Sequence, residues 1–174
     1  MRPSKCYLSI VLVLSMIASA PGRCKPMGNA FVPELVFVGR SEGKGVMRLT
    51  LTKVRPFTVE SLGTKQDDGR LRLEQKVQFA GKPEQTRTWV MWQTGPGHYS
   101  ATLTDAAGLV VGRTQGSRMT LHYRLNRWGL VMHQTLDLAR DRETIANVGT
   151  IRFLGIPIGT LRETIRLKNS TRAN

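Results

Sequence analysis

Leu71-Arg72-Leu73-Glu74-Gln75-Lys76-Val77-Gln78-Phe79 is the stretch that decides the fold. Leu71, Leu73, Val77 and Phe79 alternate with Arg72, Glu74, Lys76 and Gln78. A period of two sends one set of side chains to an apolar interior and the other to water, as a half-buried β-strand requires. The pattern recurs further along. Met119, Leu121, Tyr123 and Leu125 alternate with Thr120, His122, Arg124 and Asn126, and Leu130, Met132, Leu136 and Leu138 alternate with Val131, His133, Thr135 and Asp137. Less regular runs lie at 46–53, 57–62, 86–93, 99–105, 109–114, 144–153 and 158–167, for about ten strands in all.

Turn chemistry separates the runs. Asp67-Asp68-Gly69, Gly81-Lys82-Pro83, Gly95-Pro96-Gly97, Ala107-Gly108, Gly116-Ser117 and Gly155-Ile156-Pro157 recur at roughly ten-residue spacing, which is the mark of hairpins and therefore of antiparallel neighbours. No run carries a helical period longer than two turns; at 29–38 a short helix and a first strand are equally allowed. A meander of this length exposes sheet edges unless it closes on itself. The expected fold is all-β: an antiparallel up-and-down barrel of about eight to ten strands, wide enough for a small ligand cavity.

The N-terminus follows a different plan. Arg2 and Lys5 precede an apolar run of 14 residues, Tyr7 to Ala20, broken only by Ser9, Ser15 and Ser19 and followed by small residues. That is a secretory signal peptide, too short for a permanent membrane span of about 20 residues. Cleavage after Gly22 is expected, giving a signal helix at 1–22, a flexible mature terminus at 23–33, one barrel domain at 34–168 and a disordered tail at 169–174. Cys24 follows Pro21-Gly22-Arg23, which does not match the lipidation pattern, so an anchor at Cys24 is not expected. Removing residues 1–22 takes away Arg2 and Lys5 and no acid, so the net charge falls from +14 to +12. The cations are 18 Arg and 8 Lys placed singly, without the patch or stripe of a nucleic-acid footprint. In an envelope compartment such as the periplasm, the natural partner of this charge is an anionic membrane surface.

Phe37-Val38-Gly39-Arg40, Glu42-Gly43-Lys44-Gly45, Arg87-Thr88-Trp89, Gly95-Pro96-Gly97-His98-Tyr99, and Asn147 ahead of Phe153-Leu154-Gly155 together resemble a bacterial envelope family of unknown function. Its members are described as outer-membrane lipoproteins with lipocalin-like (calycin-like) barrels. The resemblance spans roughly residues 34–167. It implies a lipocalin-like architecture and association with the outer membrane, and it brings no known reaction. The absent lipobox departs from the family pattern.

The signatures of the common catalytic classes are missing. His98 falls in a turn, and His122 and His133 fall on outward faces; one mature cysteine and no paired His or Cys spacing argue against a metal site. No Gly-x-Ser-x-Gly elbow occurs, and nothing in the spacing of Glu42, Glu60, Asp105 and Glu163 demands that they converge. Two similar hexapeptides, Val38-Gly39-Arg40-Ser41-Glu42-Gly43 and Val111-Gly112-Arg113-Thr114-Gln115-Gly116, read as convergent strand-turn chemistry, since nothing around them repeats.

What remains is a set of inward polar groups. Gln75 shares a face with Leu73 and Val77, Gln134 with Met132 and Leu136, Asn147 with Ile145 and Ile151, and Glu163 with Leu161 and Ile165. A buried polar group left unpaired costs about 1–3 kcal/mol, so these four must bond to one another, to water or to a ligand. With Trp89, Tyr99 and Tyr123, whose polar ends seek partners, they form the candidate ligand site: Gln75, Trp89, Tyr99, Tyr123, Gln134, Asn147 and Glu163. Glu163 should pair with an inward cation such as Arg40 or Arg113, or carry a raised pKa. The expected function is binding of a small lipid-like molecule, apolar or amphipathic, without cofactor or metal. Two alternatives stand beside it. One is a cofactor-free isomerase or cyclase with Glu163 as acid or base and Asn147 or Gln134 orienting substrate; the other is a basic adaptor docking on anionic lipid or glycan.

Overall fold

A computed structural model describes residues 30–50 and 52–168. The expected signal segment 1–22, Cys24 and the tail 169–174 lie outside the described residues. One short helix, α1 (Pro33–Val36), precedes ten strands: β1 (Gly39–Leu49), β2 (Arg55–Lys65), β3 (Leu71–Phe79), β4 (Gln85–Gly95), β5 (His98–Leu103), β6 (Val110–Gln115), β7 (Arg118–Arg124), β8 (Leu130–Leu138), β9 (Thr144–Phe153) and β10 (Ile156–Lys168). Each strand pairs antiparallel with the next, and β1 pairs with β10 from Arg40↔Lys168 to Leu49↔Gly159, so the sheet closes into an up-and-down barrel with no free edge. The all-β, antiparallel up-and-down barrel expected from the alternation is the fold observed, and it has the lipocalin-like architecture that the resemblance implies.

The first strand differs from the reading. It runs Gly39–Leu49 instead of 46–53, because its inward positions are Ser41, Gly43 and Gly45, which carry no apolar alternation. Small residues are needed there. The side chain of Glu163 on β10 lies where a Cβ on Gly43 would be, and a Cβ on Gly45 would come within 2.6 Å of the Phe57 ring. The first Gly-Arg hexapeptide therefore opens β1, while the second runs through β6 and into the turn at Gly116, and their likeness has no counterpart in the fold.

The two ends of the barrel are different. At one end α1 forms a plug, entered through Pro33 at a position where a missing N–H costs nothing. Phe31 and Pro33, which the sequence reading placed in the flexible terminus 23–33, are fully buried here. The Phe31 N–H donates to the Gly116 carbonyl at 2.7 Å, and the Phe31 and Phe37 rings pack at 5.8 Å. Gly63 on β2 leaves room for the Phe37 carbonyl, which occupies the place of a Cβ. Beneath the plug the interior is solid, with Leu71, Met119, Val110 and Ile145 fully buried, each contributing about 1.5–3 kcal/mol. At the other end five connections, β1–β2, β3–β4, β5–β6, β7–β8 and β9–β10, surround an open mouth.

Candidate functional site

Between plug and mouth the alternation is interrupted by a belt of inward polar side chains, in two networks. On one wall, β2, β3 and β4 bring Ser61, Gln75 and Arg87 into register, Ser61↔Gln75 and Gln75↔Arg87. The Gln75 amide donates to Ser61 Oγ at 3.1 Å, and its Oε1 accepts from Arg87 Nε at 2.9 Å and from Trp89 Nε1 at 2.9 Å. On the facing wall a chain runs across four strands. Tyr123 Oη donates to Gln134 Oε1 at 2.9 Å, Gln134 Nε2 to Asn147 Oδ1 at 3.4 Å, and Asn147 Nδ2 to Glu163 Oε2 at 2.8 Å. The networks touch where the Trp89 and Tyr123 rings meet edge to face, 5.7 Å between centroids. Inward polar groups facing apolar surroundings are thus bonded to each other, as the cost of leaving them unpaired requires.

Six of the seven residues read from the sequence, Gln75, Trp89, Tyr123, Gln134, Asn147 and Glu163, come together in this belt. Tyr99 does not: it is buried at the plugged end, its hydroxyl 3.5 Å from Glu34 of α1, and it lines neither the open cavity nor the belt. Of the carboxylates, Glu42 and Glu60 face water, Asp105 stands at the mouth, and Glu163 alone is inside. His122 and His133 face outward as read, ring against ring at 4.3 Å. No group of three metal-ligating side chains occurs among the described residues.

The inward cation is neither Arg40 nor Arg113, both of which are exposed. It is Arg87. The alternation around Trp89 and Met91 puts position 87 on the inner face, a signal hidden by the expectation that arginines point to water. Arg87 stands across the interior from Glu163, and the two line the same cavity floor. Its Nε is held by Gln75, yet it belongs to none of the ion pairs found among the described residues, all of which lie on the outer surface, as in Arg118–Asp137 at 2.6 Å.

The belt shifts its own acid-base chemistry. Burial pushes the Glu163 carboxyl above its ordinary range; the Asn147 hydrogen bond and then the Arg87 charge oppose that shift without cancelling it. Burial likewise pushes the Tyr123 phenol up to about 12, against the Arg87 charge and with those of Asp105 and Glu163. Tyr99 is also raised to about 12, by burial and then by the charge and hydrogen bond of Glu34.

On the mouth side of the belt lies a cavity of about 660 Å³. Its walls are mostly apolar, with Leu49, Phe57, Phe79, Leu103, Met132 and Leu161 among them and Gln85, Thr86, Thr104 and Asp105 as the polar exceptions, and its floor is Arg87, Tyr123, Gln134 and Glu163. On the plug side only about 50 Å³ is free. Ligand sites of small-molecule binders are typically ~300–1,000 Å³, mostly apolar, with a few convergent polar groups.

A closed antiparallel barrel with one plugged end, one open mouth and an inner cavity defines the class: a lipocalin-like barrel protein. Within that class the chain belongs to the family described as protein of unknown function (DUF3833), whose model matches residues 10–166. Among solved structures the barrel is similar to an S-type phycobiliprotein lyase, CPES, from Guillardia theta, with 8% identity, a TM-score of 0.64, and coverage of 79% of this chain and 92% of that one. It is also similar to a protein of unknown function from the DUF3598 family of Nostoc punctiforme PCC 73102, with 13% identity and a TM-score of 0.58 over 80% of this chain; the match spans 51% of that protein. A search of the curated proteins by sequence finds no match. These structural likenesses are likenesses of fold.

Proposed function

We propose that the protein binds a small amphipathic molecule of lipid type, its apolar part in the open cavity and an anionic head on the belt. The observation that carries this reading is Arg87, a cation at the floor of a mostly apolar cavity with no carboxylate in ion-pair contact with it among the described residues. A charge taken out of water is costly unless paired, and the forked guanidinium suits carboxylate or phosphate oxygens. The signal pattern at 1–22 supports a place of action in the envelope, where such molecules are abundant.

Glu163 gives the binding a pH dependence. An anionic head beside Arg87 favours the protonated form of Glu163, so binding takes up a proton and weakens as pH rises through the ionisation of that carboxyl. The test uses a fluorescent fatty acid and the matching fatty alcohol as probes. The acid should bind more tightly than the alcohol, Arg87→Met should abolish the difference, and Glu163→Gln should flatten the pH dependence. Equal affinity for acid and alcohol in the wild-type protein refutes the anionic head, and absence of binding to either refutes the pocket.

A carboxyl with raised pKa on the floor of a cavity is also the condition for a general acid, so the isomerase or cyclase reading keeps one supporting observation. Native mass spectrometry of protein from its own cells separates the two. A retained, unaltered ligand favours the binder, whereas a Glu163→Gln variant that accumulates a different molecule from the wild type favours the enzyme.

A further inference from the structure

We propose that the open rim of the barrel is a docking surface for an anionic lipid bilayer. The inference concerns the outside of the mouth and does not depend on what occupies the cavity. Among the described residues the four most exposed large apolar side chains are Trp128 (81%), Leu154 (72%), Ile156 (66%) and Leu109 (60%); three lie on connections around the mouth, and Ile156 opens β10 directly beside one of them. Val54 and Phe153 extend the same rim. Apolar side chains scattered singly over a surface need no explanation, but a set gathered on one end does.

The rim holds these side chains out against local preference. The β9–β10 connection is a two-residue hairpin, Leu154-Gly155, flanked by the pair Phe153↔Ile156. Both its residues have positive φ, 48° at Leu154 and 85° at Gly155. Such a turn favours Asn-Gly, and a leucine in the left-handed region is uncommon and strained. Leu154 is therefore disfavoured twice, by its backbone and by its contact with water. The turn is nonetheless firmly built: the Leu154 N–H donates to the Gly129 carbonyl at 3.2 Å, and Arg152 Nη1 donates to the Gly155 carbonyl at 2.9 Å. In the neighbouring β7–β8 connection Asn126 Oδ1 accepts from the backbone N–H of both Trp128 and Leu130 at 3.0 Å. The hydrogen bond from Leu154 to Gly129 joins the two connections, so Trp128 and Leu154 belong to one continuous patch.

The charges around the patch select the partner. Lys53, Arg55, Lys82, Arg124, Arg127 and Arg152 stand on or beside the mouth connections, against the acids Glu84 and Asp105. At the plugged end Arg40, Lys65, Arg70, Arg118, Arg140, Arg142 and Lys168 stand against Glu34, Asp67, Asp68, Asp137, Asp141 and Glu143, close to balance. The positive excess is thus concentrated on the apolar rim. Aromatic and aliphatic tips ringed by Lys and Arg complement an anionic bilayer, where apolar groups enter the interface and cations meet phosphates. The mouth would then face the bilayer, and the apolar wall at Leu49, Leu125, Leu130 and Ile158 would continue the rim inward.

The test places the chain, as its own cells make it, with vesicles of phosphatidylcholine alone or mixed with phosphatidylglycerol, each containing a brominated lipid that quenches tryptophan. Wild type minus Trp128→Phe isolates the signal of Trp128 from those of Trp89 and Trp92. Quenching of Trp128 is expected with the anionic vesicles, lowered by salt. It should weaken about tenfold in Leu154→Asn, a variant whose new residue suits the turn, and roughly fivefold for each of Arg124, Arg127 and Arg152 changed to Gln. Vesicle binding without quenching of Trp128 overturns the proposal, as does equal quenching in neutral vesicles or indifference to Leu154→Asn. A rim-to-rim dimer that shields Trp128 in the absence of vesicles would overturn it in favour of self-association.

Discussion

Replacing Asn147 with Ala should expose how the belt holds itself together. Asn147 donates to Glu163 at 2.8 Å and accepts from Gln134 at 3.4 Å; Gln134 and Asn147 are buried and Glu163 is half-buried. The first bond involves a carboxyl group and contributes about 1.5–3 kcal/mol when that group is ionised; the second is long and contributes at most about 0.5–1 kcal/mol. Asn147→Ala should therefore destabilise the barrel by about 2–4 kcal/mol at pH 8, or about 4–16 °C in Tm at roughly 2–4 °C per kcal/mol. A double-mutant cycle with Glu163→Ala isolates the pair, because the Gln134 contribution is common to both arms and cancels. The coupling has a definite pH dependence. Since the folded-state pKa of Glu163 lies above its ordinary 4.5, the folded protein binds more protons than the unfolded chain in that window, and stability falls as pH rises through it. Asn147 is the larger of the two influences opposing that shift, so its loss steepens the fall. Urea unfolding at pH 4 and pH 8 should give a coupling near 1 kcal/mol at the lower pH and about 1.5–3 kcal/mol at the higher. A coupling below about 0.5 kcal/mol at pH 8, or one unchanged between the two, would refute the reasoning.

Three further outcomes follow from single features. Gly43→Ala puts a methyl group where the Glu163 carboxyl lies, so it should cost about 1–3 kcal/mol in the wild type and much less in a Glu163→Ala background, measured by urea unfolding. Tyr99 and Tyr123 should ionise only near pH 12 in the folded protein, so stability falls between the ordinary value of 10 and that pH; ultraviolet difference titration of Tyr123→Phe should lose one of the late phenols. Leu154→Asn suits a backbone at φ 48° and should raise Tm, by the equivalent of about 1 kcal/mol, whatever it does to vesicle binding.

Local sequence determined the barrel because period two is a local property: Leu71 to Phe79 and Met119 to Arg124 carry it within a few residues, and the hairpin glycines carry the antiparallel order. The inward side of Gln75, Gln134, Asn147 and Glu163 followed from the same parity. The alternation failed at β1, where Ser41, Gly43 and Gly45 point inward; the reason those positions must be small, the Glu163 side chain and the Phe57 ring, lies on other strands. Partners were likewise decided only in three dimensions. Which cation faces Glu163 depends on how ten strands curve round until β4 stands opposite β10, a relation that no spacing along the chain encodes, so Arg87 took the place expected of Arg40 or Arg113. Tyr99 was placed in the candidate site because its polar end seeks a partner, yet it belongs to the plug, because neither residue type nor alternation reports the height along the barrel axis. That height is set by the shear with which each strand is offset from its neighbour, and it separates a packed end from an open cavity.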